Sequence, residues 1–154
     1  MLVYRITKQK YAADLTGRGA AIAGGRWNRK GLPALYTAES RSLAILELLV
    51  HCGRIDDVYG RLVQTIEVMD SPAAVITTDM LSNEWRAVPW KDETVKMGSA
   101  WLSGNENLVM QLPSAIVPAE NNYLINPAHP EYSKVRIVGE EILNLDPRIA
   151  ALLI

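Results

Sequence analysis

The chain has 154 residues, 49% of them hydrophobic, enough for one core and too few for two ordinary domains, so a single domain over residues 1–154 is expected. Lys and Arg number 16 against 17 Asp and Glu, a net charge of −1, so no broad field draws the chain to nucleic acid or anionic lipid. One cysteine, Cys52, excludes an internal disulfide, and with His51 and distant His129 it lacks the spacing of a zinc site; no metal is expected, and a reducing cytoplasm is the expected compartment.

Leu2, Tyr4 and Ile6 alternate with Val3 and Arg5 as a strand would, and Lys8 and Lys10 follow too soon for a signal peptide. The glycine-rich stretch 17–25 reads as a loop. Its Gly17-Arg18-Gly19 opening suggests a dinucleotide fingerprint, but Ile22 stands where the third glycine belongs and no helical pattern follows, so a Rossmann reading is rejected.

Residues 33–37 read as a short strand, followed by a helix over 41–51 with Ser40 as N-cap and Gly53 as its stop. Glu47 is the only charge in the apolar run 43–50, which is far shorter than the roughly 20 residues of a membrane span. Leu43, Leu46 and Val50 are assigned to a core-facing stripe, with Glu47 at its edge. An unpaired carboxylate is costly to desolvate, so Glu47 requires a wet cleft or hydrogen-bonding partners. The structural alternative is a salt bridge to an arginine at the core edge.

Further strands are expected over 61–68 and 74–77. Asp79 and Asp92 read as helix starts, the first for a segment carrying Trp85, the second for one carrying Val95, Met97 and Trp101 and ending at Gly104. Residues 109–117 alternate around Pro113, with a bulge or sheet edge expected near Ser114. Residues 121–127 read as turn, strand and turn, and 135–145 as a last strand with a bulge at Gly139. Strands and helices interleave irregularly, which points to a mixed or largely antiparallel α+β domain rather than a doubly wound one.

Three positions carry candidate chemistry besides Glu47. In Gly24-Gly25-Arg26-Trp27-Asn28, glycines allow close backbone approach and the Arg26 guanidinium suits phosphate or carboxylate; a surface salt bridge is the alternative. Tyr36 ends a strand just before the Glu47 helix and borders the same cleft, unless it is a core tyrosine with a satisfied hydroxyl. Ser114 binds a ligand or its own backbone. No histidine at readable spacing and no Gly-x-Ser-x-Gly elbow accompany it, so a serine hydrolase is rejected. His129 is assigned to a turn.

Taken together, Tyr4-Arg5, Gly24-Gly25-Arg26-Trp27-Asn28, Leu35-Tyr36-Thr37-Ala38, Leu46-Glu47 with Val50-His51, the stretch from Ser114 to Pro118, Glu120-Asn121-Asn122-Tyr123-Leu124, and Asn126-Pro127 with His129-Pro130 resemble the RES domain, the toxin half of RES-Xre toxin-antitoxin pairs. The arginine, glutamate and serine of the family name correspond to Arg26, Glu47 and Ser114. The resemblance implies an ADP-ribosyltransferase-like α+β fold, with antiparallel sheets and flanking helices around a central NAD cleft.

It further implies cleavage of the nicotinamide-ribose bond of NAD, with water or phosphate as acceptor. Arg5 and Arg26 would grip pyrophosphate or ribose, Tyr36 would pack against nicotinamide or ribose, Glu47 would stabilise the oxocarbenium, and Ser114 would orient the ribose or support Glu47. NAD is consumed as substrate and no cofactor is implied. The implied partners are an Xre-family helix-turn-helix antitoxin covering the site and a second copy of the chain in a homodimer. After Asp146-Pro147-Arg148 the family often carries an aromatic residue, whereas this chain has an apolar tail over 149–154, expected as a terminal helix or a partner contact. The competing functions are a mono-ADP-ribosyltransferase acting on a protein and a non-catalytic nucleotide- or partner-binding module; an RNA-cleaving toxin is disfavoured by the balanced charge.

Overall fold

The computed structural model describes residues 1–52 and 54–151; the expected helix stop at Gly53 and the tail residues 152–154 lie outside the described residues. Within the described residues, seven strands form one sheet in the order β4-β5-β6-β2-β1-β3-β7. They are β1 (Leu2–Lys8), β2 (Leu35–Ala38), β3 (Arg61–Val68), β4 (Ala74–Val75), β5 (Val109–Pro113), β6 (Asn121–Ile125) and β7 (Val135–Ile142). Every pairing is antiparallel except β4 with β5, so the architecture is α+β. Among the described residues four helices accompany the sheet: α1 (Arg18–Ala23), α2 (Arg41–Leu49), α3 (Asp92–Gly104) and α4 (Pro147–Ala150). Among the described residues no helix is long and apolar enough to cross a membrane.

Period-two alternation fixes which side chains the strands bury. Val3, Leu35, Ile66, Val68, Val109 and Ile125 form one apolar cluster, and Met110, Leu112 and Leu124 join Trp27, Trp85 and Leu102 in a second. A third lies under α2, where Leu43 and Ala44 meet Ala38 with Tyr4, Ile6 and Val117 around them. α2 starts where Ser40 Oγ accepts from Leu43 N at 3.1 Å. At the same end Arg41 lies over the Tyr4 ring, 4.6 Å from its centroid, and donates to Glu141 Oε1 at 2.9 Å. That contact ties the helix to both β1 and β7.

Four expectations need correction. The stretch 17–25 contains helix α1 rather than a loop alone, bracketed by Gly17 and Gly24, both at positive φ. The core face of α2 is Leu43 with Ala44; Leu46 and Val50 are 40% and 60% exposed, because Leu43 and Ala44 take the places against Ala38, Tyr4 and Ile6 and Val50 already lies past the helix end. No helix follows Asp79: a single 3-10 turn, Thr78–Met80, is succeeded by turns, and buried Trp85 anchors that segment by packing. β5 stops at Pro113 and is flanked by β4 and β6, so Ser114 follows an interior strand, at a level where β4 has already ended. The β7 bulge skips Val138, next to Gly139, because Thr65 faces Gly139 while Ile66 faces Ile137.

Candidate functional site

A cleft of about 590 Å³ opens between α2, the ends of β1 and β2, and the segment leading into α1. Arg5, Tyr36 and Glu47 line it, with Asn122, His51 and Arg61. Glu47 reaches it because its position on α2 faces neither the sheet, which Leu43 and Ala44 occupy, nor open solvent. Its Oε1 accepts two hydrogen bonds, from Ser114 Oγ at 3.0 Å and from Asn122 Nδ2 at 2.5 Å. No cation pairs with it in a salt bridge among the described residues, so the structural alternative raised by the sequence is not what the fold builds.

Ser114 itself does not reach the cleft. It is 0% exposed, and its Oγ accepts from the backbone N–H groups of Ile116 and Val117, both at 3.1 Å. With its lone pairs taken, its one hydroxyl proton has a single destination, Glu47. Asn122 shares the task from the neighbouring strand, because β6 pairs Asn122 opposite Ala38 on β2 and opposite Leu112 on β5. Its Oδ1 is buried with no partner among the described residues. Sequence reasoning gave Asn122 no role. The available signal was a polar residue at an inward position of a strand otherwise closing on Leu124 and Ile125.

Tyr36 presents its ring to the cleft while its hydroxyl works behind it. The OH donates to Asn28 Oδ1 at 2.7 Å and accepts from Trp27 N at 3.0 Å. Burial is the main reason its phenol is held well above the usual tyrosine range, with the Trp27 hydrogen bond and Arg26 pulling the other way. The two partners lie in a tight turn closed by Gly25 and Asn28, whose N–H and C=O groups bridge at 2.9 and 3.3 Å. A Cβ on Gly25 would sit 2.7 Å from the Tyr36 hydroxyl, which is why the turn needs glycine there.

Arg26 projects from that turn but does not line the cleft. Its guanidinium donates to the carbonyls of Trp85 at 2.5 Å and Ala87 at 3.3 Å. Desolvation lowers its pKa, and the nearby charge of Glu47 opposes that effect. The neighbouring Arg86 donates from Nε to Ala115 O at 2.8 Å, so two arginines fasten the segment around Trp85 between the Arg26 turn and the loop after Ser114. Arg5, on β1, donates to Asp14 O at 2.8 Å, and burial lowers its pKa against the attraction of Asp14. The fold thus brings Arg5, Tyr36 and Glu47 around one hollow, puts Ser114 behind Glu47, and sets Arg26 to one side within reach of its field.

The chemistry such a hollow supports is stabilisation of positive charge. Glu47, held through Oε1, keeps Oε2 free of those two donors, and the Tyr36 ring shares the cleft with it, while the Arg5 guanidinium suits an anionic group instead. No group of three or more acidic, histidine or cysteine side chains suited to a metal occurs among the described residues.

Comparison with known proteins follows the same lines. The family model described as "RES domain" matches residues 2–146. A protein of Photorhabdus laumondii named "Toxin Res" is 36% identical over 97% of this chain and 97% of its own length. A Sphingobium protein named "Prs ADP-ribosylating toxin" is 39% identical over 90% of this chain and 88% of its own. Among solved structures, a chain of the M. tuberculosis MbcT-MbcA toxin-antitoxin complex superposes with a TM-score of 0.75 at 21% identity, covering 99% of this chain and 87% of that one, a likeness of fold.

Proposed function

The chain belongs to the RES domain family, and from that premise we propose that it is the toxin of a toxin-antitoxin pair that consumes NAD by cleaving the nicotinamide-ribose bond, with water or phosphate as acceptor. The observation that carries the reading is the doubly anchored Glu47 facing a cleft shared with Arg5 and Tyr36.

Nicotinamide in NAD already bears positive charge and leaves readily, so the protein needs no strong nucleophile. It must steady the ribose as it gains oxocarbenium character. In this reading Glu47 faces that charge through Oε2, with Ser114 and Asn122 fixing the carboxylate plane. Tyr36 offers its ring to the nicotinamide or ribose. Arg5, at the β1 side, takes a phosphate or ribose oxygen with the donors that Asp14 O leaves free. Arg26 adds positive potential and orients the turn under Tyr36. NAD is substrate, and the scheme uses no cofactor.

The partner in this reading is an Xre-family antitoxin that covers the cleft, with a second copy of the chain completing a homodimer in the cytoplasm. The toxin-antitoxin assignment of the solved relative supports an antitoxin. A second reading, transfer of ADP-ribose to a protein, is favoured by the name of the Sphingobium relative. Product analysis after incubation with NAD distinguishes them. Free nicotinamide with stoichiometric ADP-ribose or its phosphate supports hydrolysis or phosphorolysis. Nicotinamide released only when a target protein is added supports transfer, and none under any condition leaves a binding module.

A further inference from the structure

His51 lies one helical turn beyond Glu47 and lines the same cleft. At the end of α2 the chain tightens, and His51 N turns to Leu48 O at 3.0 Å instead of to Glu47 O. The ring fills the gap: His51 Nδ1 sits 2.7 Å from Glu47 O. A carbonyl has no proton to give, so Nδ1 is the donor. In the neutral ring Nε2 is then the acceptor, and it meets no partner among the described residues.

Three other ionisable groups of the cleft, Asp14, Arg61 and Glu47, are held by hydrogen bonds of their own. Asp14 Oδ1 accepts from both Thr16 N and Thr16 Oγ1, and the Arg61 Nε donates to Asp57 O at 2.5 Å. Glu47 is held by Ser114 and Asn122. Glu47 and His51 line the same cleft, so one small acceptor held there meets both side chains.

Resting on the NAD reading, we infer that His51 Nε2 is the general base of the reaction and that its acceptor is water. The water oxygen bonds to the ribose carbon as the bond from that carbon to the nicotinamide nitrogen breaks. The bonding pair leaves with nicotinamide, cancelling its positive charge, and the proton of water passes to Nε2 and on to solvent. The C-terminal carbonyls of α2 meet the charge that the ring acquires. Phosphate, already anionic, needs no such base.

The test is His51→Asn, in which the side-chain amide reproduces Nδ1 and its bond to Glu47 O but lacks Nε2. The ring is solvent-exposed, so the variant is expected to melt with the wild type. Nicotinamide release in phosphate-free buffer should fall about 100-fold. Azide, an anion with no proton to lose, should yield ADP-ribosyl azide at the wild-type rate in the variant. Undiminished hydrolysis by the variant overturns the inference. So does an equal loss with azide, which would make His51 a shaper of the cleft, and so does a wild type that releases nicotinamide only with phosphate. A wild type inert toward NAD in water, phosphate and azide alike instead removes the NAD reading itself.

Discussion

Ser114 holds Glu47 from inside the protein: its hydroxyl, wholly buried, donates to Glu47 Oε1 at 3.0 Å while two backbone N–H groups fill its acceptor positions. Ser114→Ala therefore removes a charge-assisted bond and strands the N–H groups of Ile116 and Val117. A stability loss of about 1–3 kcal/mol is expected in a urea melt. Turnover should fall roughly tenfold, the worth of about 1.4 kcal/mol.

Asn122 separates from Ser114 in its signature. Asn122→Ala deletes a bond to Glu47 but also an unpartnered buried acceptor, so its urea midpoint should lie close to the wild type. Turnover should still drop, and Asn122→Asp, which sets a carboxylate against Glu47, should be slower again. Equal rates for the alanine and aspartate variants would remove Asn122 from this role.

Glu47→Gln keeps the shape and leaves an oxygen for Ser114 and Asn122, but it deletes the charge. Loss of turnover by about 10²–10³-fold with an unchanged melt is expected, the size seen when one electrostatic stabiliser is removed. Wild-type turnover in this variant would return Glu47 to a purely structural role.

Gly98 on α3 lies against the Trp27 backbone so closely that a Cβ would stand 2.0 Å from Trp27 O. Gly98→Ala must push the Gly25 to Asn28 turn away, at about 1–3 kcal/mol, and displace Arg26 with it. The apparent KM for NAD should rise. Gly104→Ala, with nothing within 4 Å of its Cβ, is the control and should leave both quantities alone.

Tyr132, whose hydroxyl donates to Leu15 O, has its pKa pushed up from 10.0 to about 12, mainly by burial. The folded form thus keeps a proton that the unfolded chain has lost. Its contribution is complete below pH 10 and disappears as pH rises through about 12. Stability measured between those values should decline, and Tyr132→Phe should flatten the decline.

Much of this was legible before any coordinates. β3 has the bounds that its branched residues give, and Ser40 caps α2 where its hydroxyl precedes the apolar run. Tyr36 and Glu47 were named from their residue types and places in the expected elements, and Arg5 from the family resemblance alone. What escaped depends on contacts far apart in sequence. α1 is only six residues long, set in a glycine-rich stretch, and it is held from outside: Asn28 Nδ2 donates to Ala20 O and Gly31 N to Ala21 O. The segment after Asp79 has a helix-like start, but Trp85 is drawn into the Leu112 and Leu124 cluster, and packing overrides the local signal. The support given by Asn122 follows from strand register, which no local pattern encodes.

The two residues that grip Glu47 stand 67 and 75 positions downstream of it, on the far side of β4 and α3. A ribosome that has delivered only the first hundred residues has released the arginine, the tyrosine and the acid, yet nothing to aim them. The carboxylate is therefore aimed only late in synthesis, and a copy that ends before Ser114 lacks both of its anchors.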